Sequence, residues 1–291
     1  MNSLSLEREL FGQRFQNPLL LAAGTAGFGR ELDGVLRLDR LGGIITKAVS
    51  LQPRHGNAPP RVAEFAGGML NSIGLANPGV ESVRREALPW LSRHLTRAQV
   101  LVNVVGFTVD EYAEVVRRLD GSSPIAAFEL NLSCPNTSAG GIEFGADSGC
   151  VQRIVAACRG RTKLPLVAKL SPLLPDIGGM AVVARDAGAD AVSAVNTIPG
   201  ILYGHTGDAR LGHGSGGVSG PPLLPVGVLA VSRILDCTGG MPVIGVGGVR
   251  SADDVRQYLR AGASLVAMGT AALADPRLPE RIVRDLEGGG G

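Results

Sequence analysis

The sequence predicts a single (β/α)8 barrel domain of the α/β class over residues 1–291. Three observations point there: eight short apolar runs, amphipathic helical stretches between them, and Gly- or Asn-rich junctions where the runs end. Eight such units over roughly 250 residues is the arithmetic of a closed barrel, whereas a doubly wound sheet uses fewer strands.

The elements follow in order. SLEREL-FG-QRF alternates around Phe11 and Gly12, which predicts a hairpin closing the bottom of the barrel. Apolar runs bounded by turn residues place strands at 19–23, 43–47, 99–105, 125–131, 164–170, 190–195, 242–246 and 263–268. Helical periodicity covers 108–120, 146–161, 176–188, 222–238 and 251–261, with Thr108 and Ser251 as capping residues. Longer inserts follow the second strand (48–77) and the sixth (the Gly-rich 198–220), and a loop insert follows the fourth.

Composition bounds the function. The chain is 45% apolar with a net charge of +2, enough for one large core. With 4% aromatics and no basic run, nucleic acid is not the expected partner. MNSLSLEREL has no apolar signal core, and PLLLAAG and ASLVAMGTAALA are far shorter than the roughly 20 residues that span a bilayer. The expectation is a cytoplasmic protein without a membrane segment. The cysteines at 134, 150, 158 and 237 form no CxxC pair, so the chain carries no zinc or iron–sulfur pattern. Cys150, Cys158 and Cys237 fall in helical stretches and read as fillers. No metal site is expected.

In such a barrel, polar residues at the C-terminal strand ends face the active site. The chain has 25 arginines but only three lysines, and two of these, Lys47 and Lys169, end predicted strands. A compact ammonium suits a charged ring or a carboxylate in a confined site. Asn71, Asn103, Asn131 and Asn196 also follow or end apolar runs. An amide gives a donor and an acceptor together, which fits a ring with alternating N–H and C=O edges. The Gly-rich turns GVGGVRSADD and MGTAAL follow the last two strands, where glycine lets backbone N–H groups approach a phosphate. Cys134 follows the fourth strand in ELNLSCPNT, and none of the histidines at 55, 94, 205 and 213 sits at a strand end. A lone general base is therefore its better role than a His-activated nucleophile. His205 and His213 read as exposed. On residues alone, a flavin-free phosphate-binding lyase or isomerase barrel and a non-catalytic barrel remain open.

The motifs NPLLLAAGTAGFG, ITKAV, PRVAEFAGGMLNSIGLANPG, ELNLSCPNT, AKLSP, VNT and GGVSGP, with the two phosphate turns, run nearly end to end. On these the chain resembles class 1 dihydroorotate dehydrogenases, FMN-containing barrels of pyrimidine synthesis, and TSAGGIEFG is similar to the NAD-linked 1B branch. The segment IPGILYGHTGDARLGHG departs from that branch's pattern. The resemblance implies oxidation of dihydroorotate to orotate. The Cys134 thiolate would take the C5 proton while C6 delivers hydride to FMN. Lys47, Asn71, Ser72, Ile73, Gly74, Leu75, Asn131, Asn196 and Thr197 would hold the substrate. Gly24, Thr25, Lys47, Ala48, Asn103, Asn131, Lys169, Val195, Gly220, Gly247, Gly248, Gly269 and Thr270 would hold FMN, with Lys169 at the flavin N1/O2 edge. It also implies a separate electron-transfer subunit carrying FAD and [2Fe–2S], around a homodimer core of a heterotetramer. The alternatives within the resemblance are a fumarate-linked 1A-type enzyme and a related FMN barrel acting on another dihydropyrimidine.

Overall fold

The computed structural model describes residues 6–132 and 147–288. It begins with β1 (Arg8–Leu10) and β2 (Gln13–Phe15), an antiparallel hairpin turned by Phe11 (φ 61) and Gly12 (φ 67). Two consecutive positive φ angles give the tight turn whose twist matches a two-residue hairpin. Phe15 is fully buried in one apolar cluster with Leu20, Ile45, Leu101 and Ile244, so the hairpin plugs the barrel at the end where its strands begin.

β3 (Leu19–Leu21) and β4 (Gly43–Ile45) start the barrel, and β5 (Val62–Phe65) and β6 (Gly68–Asn71) lie in the first insert. β7 (Gln99–Val104), β8 (Ile125–Asn131), β9 (Leu166–Leu170) and β10 (Ala191–Ala194) continue it. After β11 (Ile198–Ile201) and β12 (Ser215–Ser219), β13 (Val243–Val246) and β14 (Leu265–Met268) complete it. All pairs among the barrel strands are parallel, and β14 pairs with β3 to close the ring. Closure removes both sheet edges.

Side chains alternate in and out with the strand period of two. Val100, Val102, Phe128 and Leu130 belong to the cluster between strands and helices, whereas Leu101, Ala127, Val167 and Ala191 belong to the cluster inside the ring. The five expected helices are Val109–Leu119, Ser148–Arg159, Ile177–Asp186, Leu223–Thr238 and Ala252–Arg260. Thr108 Oγ1 accepts from Glu111 N, and the Glu111 carboxylate accepts from Phe107 N in return. Ser251 and Asp254 repeat this reciprocal cap at the start of Ala252–Arg260.

Three features differ from the sequence expectation. The crossover from β3 to β4 holds two 3-10 turns, Arg30–Leu32 and Leu38–Arg40, instead of a helix. Gly34, at φ 73, stands between them in a conformation that ends a helix. Helical structure also fills 80–94 and Leu278–Glu287, outside the five predicted stretches, and Thr270–Ala274 is the helix that the MGTAAL turn leads into. Finally, the two inserts are one structure: they form an antiparallel sheet in the order β11-β12-β6-β5. No helix among the described residues is long and apolar enough to cross a membrane.

Candidate active site

Strand parity decides which polar residues enter the barrel. Leu101 and Ala127 point inward, so Asn103 on β7 and Glu129 on β8, two residues on, point inward as well. Val167 and Ala191 place Lys169 on β9 and Ser193 on β10 the same way. These four form one network under the strand ends. Glu129, fully buried, accepts from Asn103 Nδ2 at 2.6 Å and from Ser193 Oγ at 2.8 Å, and Lys169 Nζ lies 3.6 Å from its Oε1. A carboxylate taken out of water needs such donors and a cation to offset its desolvation. Lys169 is itself only 7% exposed.

A carboxylate can only accept, so Asn103 must turn its Nδ2 toward Glu129 and its Oδ1 away. That Oδ1 is buried and has no hydrogen-bond partner among the described residues. Asn103 is further set by its backbone N–H, which donates to Thr46 Oγ1 at 3.2 Å.

Above this layer the strand-end residues gather. Asn131 ends β8, and its carbonyl accepts from the Tyr112 hydroxyl. Asn196 Nδ2 donates to Asn131 Oδ1 at 3.4 Å, while Asn196 Oδ1 accepts from Thr197 N at 2.8 Å. Val195 N donates to Val246 O at 2.9 Å, carrying 195–197 across the end of the ring. Lys47 follows β4, with its backbone N–H held by Gly27 O at 2.8 Å and buried Ala48 beside it. The Lys47 side chain forms no ion pair among the described residues.

The insert sheet brings in the stretch from Asn71 to Leu75. Asn71 Nδ2 donates to Gly217 O at 3.2 Å, and Gly217 packs so closely on Thr197 that an added Cβ would lie 2.1 Å from its Oγ1. Ser72 is pinned by Asn57, whose Nδ2 donates to Ser72 Oγ at 2.6 Å, and Asn57 N donates to Ile73 O at 3.2 Å. Gly74 lies against Asn57, where an added Cβ would meet its Oδ1 at 2.5 Å. Leu75 holds φ 58, a conformation costing a non-glycine residue about 1 kcal/mol, and such strain concentrates at functional loops.

The glycine turns close the far side. Gly247 (φ 123) and Gly248 (φ 76) follow β13, and a Cβ on Gly248 would lie 2.5 Å from Leu224 N. Gly247 O accepts from the Tyr258 hydroxyl at 2.8 Å. Burial pushes the Tyr258 hydroxyl pKa up, with Asp254 adding to the shift. Gly269 and Thr270 follow β14; a Cβ on Gly269 would reach Thr25 Oγ1 at 3.5 Å, beside Gly24 (φ 84). Thr270 Oγ1 and Ser219 Oγ are 2.8 Å apart, next to buried Gly220 (φ 118). Cys134 lies outside the described residues. A separate cleft of about 830 Å³, lined by Arg37, Trp90, Arg97, Arg277 and Arg284, shares none of these residues.

Comparison with known proteins bears on this arrangement. The family model described as Dihydroorotate dehydrogenase matches residues 5–288. The chain belongs to the dihydroorotate dehydrogenase family. A relative in Pelobacter propionicus, named the catalytic subunit of dihydroorotate dehydrogenase B (NAD(+)), is 43% identical over 279 residues, which is 96% of this chain and 91% of the relative. Relatives of the same name in Desulforudis audaxviator and Anoxybacillus flavithermus are 44% and 41% identical over 95% and 98% of this chain, and 89% and 90% of their own lengths.

Sequence reasoning for this family member overlooked Glu129, Ser193 and Asn57. The signal for Glu129 was present: Ala127, Glu129 and Asn131 share one face of β8, so the charge is committed to the barrel interior. Asn57 carries no such periodic signal.

The donor set fits a flavin. Its pyrimidinedione edge has one N–H flanked by carbonyls, and Asn103 offers an unused buried acceptor with a cation close by. The glycine turns after β13 and β14 stand at the strand ends where backbone N–H groups can receive a phosphate, with Gly247 and Gly248 at positive φ.

Proposed function

We propose that this chain oxidises (S)-dihydroorotate to orotate in de novo pyrimidine biosynthesis, with FMN held at the C-terminal ends of the barrel strands. The observation that carries the reading is Asn103 Oδ1, unpartnered among the described residues and set beside Lys169, below the amides of Asn131 and Asn196, in a chain whose relatives bear this activity in their name.

FMN, when bound, supplies the acceptor for the two electrons that leave the substrate with the C6 hydrogen. Cys134, as thiolate, takes the C5 proton, so the substrate loses one proton and one hydride and gains the C5–C6 double bond. An ordinary thiol has a pKa near about 8.5, so the step gains rate as pH rises toward that value. Lys47 provides the cation for the substrate carboxylate, and Asn71, Ser72, Ile73, Gly74, Leu75, Asn131, Asn196 and Thr197 orient the ring. Lys169 sets a positive charge where negative charge develops. Gly24, Thr25, Ala48, Val195, Gly220, Gly247, Gly248, Gly269 and Thr270 line the cofactor with Lys47, Asn103, Asn131 and Lys169.

The relatives' name, catalytic subunit of an NAD(+)-linked enzyme, supports a second subunit as the exit for electrons; in this reading, as the resemblance implies, that subunit carries FAD and [2Fe–2S] and docks on a homodimer of this chain. The purified protein is expected to be yellow, and dihydroorotate to bleach it. Cys134→Ala is expected to retain FMN and abolish bleaching. A colourless protein that does not take up FMN, or a Cys134→Ala variant with wild-type turnover, refutes the reading.

A further inference from the structure

Glu129 has no place in the chemistry above, yet it is a charge fully buried inside the barrel. It faces donors from three other strands: Asn103 from β7 and Lys169 from β9 on either side, and Ser193 from β10 one strand further on. Oε1 takes both the amide and the ammonium, and Oε2 takes the hydroxyl. The arrangement leaves one deficit, Asn103 Oδ1, a buried acceptor without a donor among the described residues. Such an orphan is costly unless a donor arrives. The same carboxylate that creates the deficit also forbids the remedy. If Asn103 turned over, its Oδ1 would face the Glu129 oxygen and two acceptors would meet.

We propose that Glu129 is a positioning residue that locks the Asn103 amide with its oxygen outward, to accept the single ring N–H of an oxidised flavin, and tethers the Lys169 ammonium beside it, to face the neighbouring ring carbonyl as a donor. This rests on the FMN reading above. An outward oxygen keeps that N–H protonated, because the ionised ring nitrogen would face an acceptor instead of a donor. The Glu129 charge acts in the same direction. Among the described residues, Glu129 from β8 contacts both members of the pair, Ser193 from β10 contacts Glu129, Thr46 Oγ1 receives the Asn103 backbone N–H, and no second carboxylate is within ion-pair reach of Lys169.

The test is a spectroscopic titration of bound FMN, read as the alkaline ionisation of the ring N–H, in wild type, Glu129→Gln and Glu129→Gln/Lys169→Met. Glutamine keeps the size of the side chain but offers both a donor and an acceptor, which frees Asn103 to turn over. In Glu129→Gln the bound flavin is expected to ionise at least about one pH unit below wild type, a tenfold change in the ionisation constant. The double variant removes both charges together, so it buries no unpaired ammonium. It is expected to show a smaller shift in the same direction, because only the amide orientation has changed. A Glu129→Gln titration that overlays wild type overturns the inference, and so does a double variant that reverts fully to wild type, since charge alone would then account for the effect. A wild type that binds no FMN overturns the flavin reading and this inference with it, whereas wild-type binding with unshifted variants overturns this inference alone.

Discussion

Tyr258→Phe removes one oxygen and nothing else, which makes it the sharpest probe of the glycine turn after β13. The hydroxyl donates to Gly247 O at 2.8 Å. The ring is fully buried, and it lies where a Cβ on Gly245 would be 2.2 Å from its Cδ1. A Cβ on Gly227 would be 2.0 Å from the hydroxyl itself, so backbone walls the oxygen on that side too. Phenylalanine therefore leaves the Gly247 carbonyl without its donor, and the surroundings cannot close in to supply another. Gly247 is part-buried, so losing this bond costs about 0.5 to 1.5 kcal/mol, and the void of a single oxygen adds little. A loss at the upper end, about 1.5 kcal/mol, lowers the urea midpoint of the apoprotein by roughly half a molar or somewhat less, since m for a chain of this size is about 3 kcal/mol/M or higher. Gly247, at φ 123, is where the phosphate is proposed to sit, so FMN affinity is expected to fall by roughly three- to tenfold as the turn loosens. Paired urea titrations and FMN binding curves measure both. An unchanged midpoint with an unchanged dissociation constant refutes the reasoning that this hydroxyl braces the turn.

Other perturbations test the remaining links. Gly217→Ala would press a methyl to 2.1 Å from Thr197 Oγ1, and overpacking of this kind costs about 1 to 3 kcal/mol. It is expected to raise KM for dihydroorotate while FMN stays bound; a wild-type KM would show that the insert sheet does not set Thr197. Asn57→Ala removes the 2.6 Å bond to Ser72 Oγ, worth about 1 kcal/mol, and steady-state kinetics should show KM rising roughly fivefold with little change in kcat. Burial pushes the Cys158 thiol up to about 12 from 9.0, so the folded form keeps its proton where the unfolded form has lost it. Stability from this group is thus complete below about pH 9 and is lost between 9 and 12, at up to about 1.4 kcal/mol per pH unit. Urea midpoints should fall from pH 8 to 10.5, and less steeply in Cys158→Ala. Alkylation followed by mass spectrometry is expected to modify exposed Cys237 in the native protein and Cys158 only after unfolding.

The repeating elements are written locally in the chain. A strand announces itself by runs such as QVLVNV, and a helix by its 3.6-residue stripe and caps such as Thr108 and Ser251, because these signals depend on neighbours a few residues away. The family-bearing motifs are equally local, and they are enough to put Lys47, Asn103, Lys169 and the glycine turns at strand ends. Cys134 is singled out by the same kind of local motif and lies outside the described residues. Tertiary structure decides what those signals cannot carry. Asn71 and Gly217 are 146 residues apart, and nothing in either insert names the other as its hydrogen-bonding partner. The missing first crossover helix is a matter of Gly34 ending a turn that neighbouring residues would otherwise continue. Glu129 shows the limit most clearly. Its inward direction follows from strand parity, but its role depends on Asn103, Lys169 and Ser193 meeting at one carboxylate, and only closure of the ring brings three other strands to that point.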